Sequence, residues 1–154
     1  MRRLLPLLVV AVVVGLAIPG LAAPPVNETT NEHDLVETFV DVVPSCQVDG
    51  ALYNITTTSN LVEHETVFAD GRVHATFTQA GTFVAEPLDP SGQSASGHFA
   101  VWGGFNQNNS TVNGTFTFEL KGEFEDGSRF SIHSVDHFNV TPAGTEFFFT
   151  HCHD

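Results

Sequence analysis

Residues 112–140 read Val-Asn-Gly-Thr-Phe-Thr-Phe-Glu-Leu-Lys-Gly-Glu-Phe, then Glu-Asp-Gly-Ser, then Arg-Phe-Ser-Ile-His-Ser-Val-Asp-His-Phe-Asn-Val. Both arms alternate with period two and are rich in Phe, Thr, Val and Ile, which suit a pleated, half-buried surface. The Asp-Gly between them is a hairpin signal. With Glu125-Asp126-Gly127 as a bulged three-residue turn, Leu120 faces Ile132, Phe118 faces Ser134 and Phe116 faces Asp136. The opposite side pairs Glu123 with Arg129, Glu119 with His133 and Thr115 with His137. This register separates apolar from charged side chains, and a sheet with one buried face specifies its register in that way.

The same alternation recurs outward from this hairpin. Strands are predicted over 35–43, ending at Pro44, and over 52–69, as one strand or as two broken near Ser59-Asn60. They continue over 72–85 with a bend at Gly81, 97–106 with a bend or bulge at Gly103-Gly104, 112–124 with a bulge at Gly122, 129–140 and 146–152. A loop rich in Pro, Gly and Ser spans 87–96, and nothing sustains a helical stripe for three turns. The fold class is therefore all-β, an antiparallel meander of seven or eight strands. A closed calycin-like barrel would leave no edge, and the disulfide proposed below would fasten first strand to last. The alternative is a two-sheet β-sandwich. With Asp70-Gly71 as a two-residue turn, His64 faces Phe77 on the more apolar side, while Glu63, Glu65, Arg72 and His74 face solvent. A three-residue turn would instead set Glu65 opposite Ala75, at a greater desolvation cost.

The ends place this domain in a compartment. Met1-Arg2-Arg3, an apolar stretch from Leu4 to Ile18 and Pro19-Gly20-Leu21-Ala22-Ala23 have the parts of a secretory signal peptide, assigned to residues 1–22. The apolar stretch is shorter than the ~18 residues that span a bilayer, so a membrane span is not expected. Residues 23–33 read as a disordered acidic leader and 34–154 as a single β domain. The expected location is extracellular. Past residue 22 only Arg72, Lys121 and Arg129 stand against all 18 carboxylates, a balance that repels nucleic acid and anionic lipid. Two cysteines in an exported chain favour a disulfide between Cys46 and Cys152.

Gly-His-Phe-Ala-Val-Trp-Gly-Gly-Phe-Asn (97–106), Asn-Gly-Thr-Phe-Thr-Phe (113–118), Asp-Gly-Ser-Arg-Phe (126–130) and His-Ser-Val-Asp-His-Phe (133–138) carry a resemblance. From about Pro44 onward the chain resembles a set of small secreted actinobacterial proteins. That resemblance implies a bacterial, exported β protein and supplies no activity.

Three polar residues on the predicted apolar side, His64, Ser134 and Asp136, are candidates to orient a small ligand inside an apolar cup, or simply to bond to one another and the backbone. Trp102, beside Gly103-Gly104, is placed to stack a sugar, to line a cavity mouth or to pack in the core. His151 and His153 share a strand face about 7 Å apart, either a usable metal pair that would need two further ligands or surface histidines on a terminal tail. His133 and His137, about 13 Å apart on another strand, are too far apart to share one ion without a partner strand. Six Asn-x-Ser/Thr triplets begin at Asn27, Asn54, Asn108, Asn109, Asn113 and Asn139, a frequency that an Asn- and Thr-rich β chain reaches by chance. Three functions follow in order. The first is an exported binding module holding a small, largely apolar molecule and no cofactor. The second is a cell-envelope interaction protein with a filled core and an exposed apolar patch. The third is a cyclase- or isomerase-type enzyme using His64 and Asp136 as acid and base, an analogy drawn from the fold alone.

Overall fold

The computed structural model describes residues 23–42, 46, 50–108 and 110–153. The predicted signal peptide therefore lies outside the described residues. Seven strands follow one another: β1 (Val26–Val42), β2 (Leu52–Val67), β3 (Val73–Pro87), β4 (Ala95–Gln107), β5 (Val112–Phe124), β6 (Arg129–Val140) and β7 (Glu146–His153). They form one antiparallel sheet in the order of the chain, a pure meander. No helix among the described residues is long and apolar enough to cross a membrane.

The segment expected to be a disordered leader is instead the first half of β1, since Val26 to Glu32 pair with Val67 to Leu61. Its polar composition hid a strand because β1 is an edge strand, exposed along most of its length. A register shift between Glu32 and Leu35 marks a bulge in which Asp34 takes a φ of 55°. The Asn60 carboxamide oxygen accepts the Asp34 N–H at 3.2 Å, plugging that bulge.

Three of the hairpins turn in the same way. Phe68 N–H donates to Arg72 C=O, Phe124 to Ser128 and Thr141 to Thr145, and within each turn a glycine N–H donates back to the first of these residues. Gly71, Gly127 and Gly144 take φ values of 84°, 81° and 75°, a left-handed conformation that closes a three-residue loop. The β5–β6 register is the one expected, from Glu123↔Arg129 to Thr115↔His137. The β2–β3 register differs by one residue, because Asp70-Gly71 belongs to a three-residue turn with Ala69. Glu65 stands opposite Ala75, and His64 stands opposite Thr76. Such a slip exchanges the two faces of β2.

One face of the sheet encloses the core. Tyr53, Ile55, Phe83, Ala85, Ala95, Leu120 and Ile132 are buried there, with Cys46, Phe99, Phe118, Phe124, Phe130 and Cys152 packed against them. Phe83 of β3 and Phe130 of β6 reach each other, ring centroids 6.3 Å apart, across Gly97 and Gly122, which occupy the same cross-strand row. Phe77 and Phe116 meet at 5.5 Å across Gly103. Glycines thus form a floor on which the rings lie, and the sheet curls until its halves face one another. No register shift occurs at Gly103, Gly104 or Gly122, so the expected bulges are absent and these residues supply space instead.

The barrel is not closed. Among the described residues the ladders run from β1 to β7 and stop, leaving both as edges, and the two-sheet alternative fits this open arrangement better. The physical reason lies in β1, whose core-side positions include Glu28, Glu32, Glu37 and Asp41. Inward-pointing charges on an edge strand resist a further strand being laid along it. The disulfide does form, Cys46 to Cys152 with Cα atoms 5.6 Å apart, and it holds β7 to the connection between β1 and β2.

Candidate functional site

The curled sheet has a core side and an outer side, and the predicted site residues divide between them. Ser134 and Asp136 are half-buried on the core side of β6, as expected, opposite Phe118 and Phe116. The Asp136 Oδ1 is buried and, like the Thr57 Oγ1, has no hydrogen-bond partner among the described residues. His64, by contrast, is exposed on the outer side, its Nδ1 2.9 Å from the Thr29 hydroxyl. The one-residue correction at the first turn is the reason. His64 and Asp136 lie on opposite faces of the sheet, so the acid–base pair of the enzyme reading is not assembled. Trp102 is also on the outer side, 38% exposed, and so are His151 and His153.

Where β2 turns its odd-numbered residues to the core side, Glu63 and Glu65 come with them. They sit beyond the packed rings, beside Glu28 and Glu32 of the open β1 edge. Burial and then the nearby charges of Glu65, Glu32 and Glu28 hold the Glu63 carboxyl above the ordinary glutamate range. These carboxylates remain tolerable because this end of the sheet is only partly covered.

The outer side carries the more organised constellation. Cross-strand partners define its first row as Asn27, Thr66, His74, Asn106, Asn113, Asn139 and Phe147, one residue from each strand. The second row is Thr29, His64, Thr76, Gly104, Thr115, His137 and Phe149, and the third is Asn31, Val62, Thr78, Trp102, Thr117, Val135 and His151. No Asp, Glu, Lys or Arg occupies any of the three rows, although the chain carries 18 carboxylates. Direct bonds run along these rows from strand to strand. Thr66 donates to Asn27 at 2.8 Å, His74 Nδ1 lies 2.7 Å from the Asn106 oxygen, and the Thr115 hydroxyl lies 2.8 Å from His137 Nδ1.

Over β4–β7 this surface sinks into a groove of about 560 Å³. Gly104 and Gly114 help form its lining, with Asn106, Asn113 and Asn139 on one side and the exposed rings of Phe147 and Phe149 at the β7 end. Four adjacent strands make the groove about 14 Å long at the usual strand spacing. Carboxamides offer both donors and acceptors, hydroxyl and imidazole groups offer one of each, and aromatic faces offer apolar contact. A second hollow of about 330 Å³ lies over Gly122 and Phe130, between Lys121 and Arg129. Neither hollow is lined by His64, Ser134 or Asp136.

Sequence reasoning missed the asparagines of the groove. In the sequence Asn139 stands out only as part of an Asn-x-Thr triplet, Asn113 as part of a triplet and of a stretch of resemblance, and Asn106 only within such a stretch. The expected register already made Asn113 and Asn139 partners, so their alignment could have been found there. Comparison of the chain with protein-family models, with characterised proteins and with solved structures gives no match.

Proposed function

We propose that the chain is an exported binding module that holds a neutral, hydroxyl-rich ligand, a polysaccharide chain, on the outer side of its sheet. The observation that carries this reading is the uncharged, three-row strip of Asn, Thr and His side chains that ends against Phe147 and Phe149 and includes the exposed Trp102. Amide and hydroxyl groups in register can exchange hydrogen bonds with sugar hydroxyls, and the aromatic faces can stack on sugar rings. Excluding carboxylates from this strip keeps a neutral ligand from displacing strongly hydrated charges. The signal-peptide features, the disulfide and the resemblance to small secreted actinobacterial proteins support an extracellular setting.

This reading moves the ligand from the interior to the surface, since the interior is occupied by rings lying over glycines. One observation favours the interior: the Asp136 Oδ1 lacks a partner among the described residues, and a small polar-headed molecule would satisfy it. Calorimetric titration with hexasaccharides of β-1,4-glucose, α-1,4-glucose, β-1,4-xylose and β-1,4-N-acetylglucosamine separates the two. Saturable binding of at least one, weakened about tenfold or more by Trp102→Ala or Phe149→Ala, is expected, equivalent to about 1.4 kcal/mol of lost ring contact. Failure of all four to bind, together with saturable uptake of a fatty acid that is lost in Asp136→Ala, would move the site indoors.

A further inference from the structure

Beyond the groove, the outer face of β6 and β7 brings together histidines that the chain itself separates. His133 and His153 are direct cross-strand partners, and His151 follows two residues along the same face of β7. Opposite residues on an antiparallel pair have Cβ atoms about 5 Å apart and diagonal neighbours about 7–8 Å apart, within reach of three imidazoles sharing one ion. The rings of His151 and His153 already lie edge to face, with centroids 4.2 Å apart. Between them Cys152 points to the core side and is tied to Cys46. Its bond pins the backbone at the point that decides where His151 and His153 face.

From this arrangement we propose a divalent transition-metal site, with zinc as its most suitable occupant, formed by His133, His151 and His153. Two histidines two residues apart on one strand and a third on the neighbouring strand supply three nitrogen ligands, leaving a fourth position to water. Among the described residues no three ligating groups already stand at metal distance, so binding requires the three imidazoles to turn toward a common point. Glu119 is the cross-strand partner of His133 on the far side of the cluster. With the ion bound, its carboxylate would accept the second ring N–H of His133, the contact that fixes the tautomer of a metal-bound imidazole. The surplus of carboxylates elsewhere on the chain raises the local concentration of divalent cations. The site shares His151 with the third row of the outer strip but no residue with the lining of the groove over β4–β7, so zinc binding can be read without any saccharide present.

The test is calorimetric titration of the exported chain, disulfide intact, with zinc chloride at neutral pH, repeated with His133→Ala, His153→Ala, Glu119→Gln and His98→Ala. His98 lies on the outer face of β4, two strands from His133 and not among the proposed ligands, and serves as the control. One zinc per chain is expected, with affinity reduced about tenfold or more in each of the first three variants and unchanged in His98→Ala. Zinc should also shift the ring proton resonances of His133, His151 and His153 together. Absence of saturable binding overturns the proposal. Full affinity in His133→Ala overturns it as well, because the ion would then be held by the β7 pair alone. Circular dichroism of each variant separates loss of a ligand from loss of fold.

Discussion

Replacing both Cys46 and Cys152 by alanine removes the covalent tie between β7 and the β1–β2 connection. The two residues are 106 apart in sequence, so the unfolded chain loses a constraint on a loop of that length. In the chain-entropy relation a loop of this size corresponds to about 16 cal/mol/K, or about 4.8 kcal/mol at 25 °C. That is a large share of the 5–15 kcal/mol that separates a typical domain from its unfolded state. It also falls on the shortest strand, since β7 has 8 residues, pairs with β6 alone among the described residues and leaves Phe147, Phe148 and Phe149 more than half exposed. Urea unfolding followed by circular dichroism should show a loss of about 4–5 kcal/mol in the double variant, and Cys152→Ala alone should lose nearly as much, because either change abolishes the same link. The urea dependence should steepen, since the unfolded chain is freed to expose more surface. A loss below about 1 kcal/mol would refute the reasoning, since β7 would then be held by its ladder and packing without the bond.

Other parts of the account are open to single substitutions. Gly122→Ala would drive a methyl group into the ring of Phe130 and bring it 2.9 Å from that of Phe83, and overpacking of this kind should cost about 1–3 kcal/mol in chemical denaturation. Asp136→Val removes a buried oxygen that has no partner among the described residues and installs a strand-favouring side chain, so a gain of about 1–2 kcal/mol is expected in the same assay. Glu63→Gln tests the carboxylate cluster. The folded chain holds the Glu63 proton more tightly than the unfolded chain, so at neutral pH the ionised carboxylate opposes folding. That opposition is relieved as pH falls through the raised value of Glu63 toward the ordinary one. Glu63→Gln should therefore raise the melting temperature near neutral pH, with the gain disappearing at a pH below the ordinary glutamate range. An equal gain at both ends would contradict the assignment.

Much of the architecture could be read from residues alone, and the errors have local causes. The hairpin at 112–140 was legible because Phe116, Phe118, Leu120 and Ile132 alternate with Glu119, Lys121, Glu123 and Arg129, so only one register keeps the charges wet. In β2 the two faces read almost alike. Tyr53, Ile55, Thr57, Ser59 and Leu61 lie on one side and Leu52, Asn54, Thr56, Thr58 and Val62 on the other, and a turn length had to decide between them. The two-residue reading of Asp70-Gly71 spared Glu63 and Glu65 from the core side, yet those residues lie beside the open β1 edge, where their desolvation is bearable. One misread turn thus moved His64 to the wrong face and removed it from Asp136. Barrel closure could not be judged, because whether two edges pair depends on the curl of the whole sheet and on charges at Glu28, Glu32 and Glu37. The outer strip was obscured for a related reason, since it is a property of rows that cross all seven strands and becomes visible only when every register is fixed.

The central claim is that the outer side of the sheet receives the ligand while the core side is filled. Amide and side-chain chemical shifts of the labelled chain, followed during titration with whichever hexasaccharide binds in calorimetry, test it most directly. The account predicts that the carboxamide signals of Asn106, Asn113 and Asn139 and the indole of Trp102 move together to saturation, with Ser134, Asp136 and Ile132 unmoved. Saturating shifts at Ser134 and Asp136, with the asparagine carboxamides still, would contradict it.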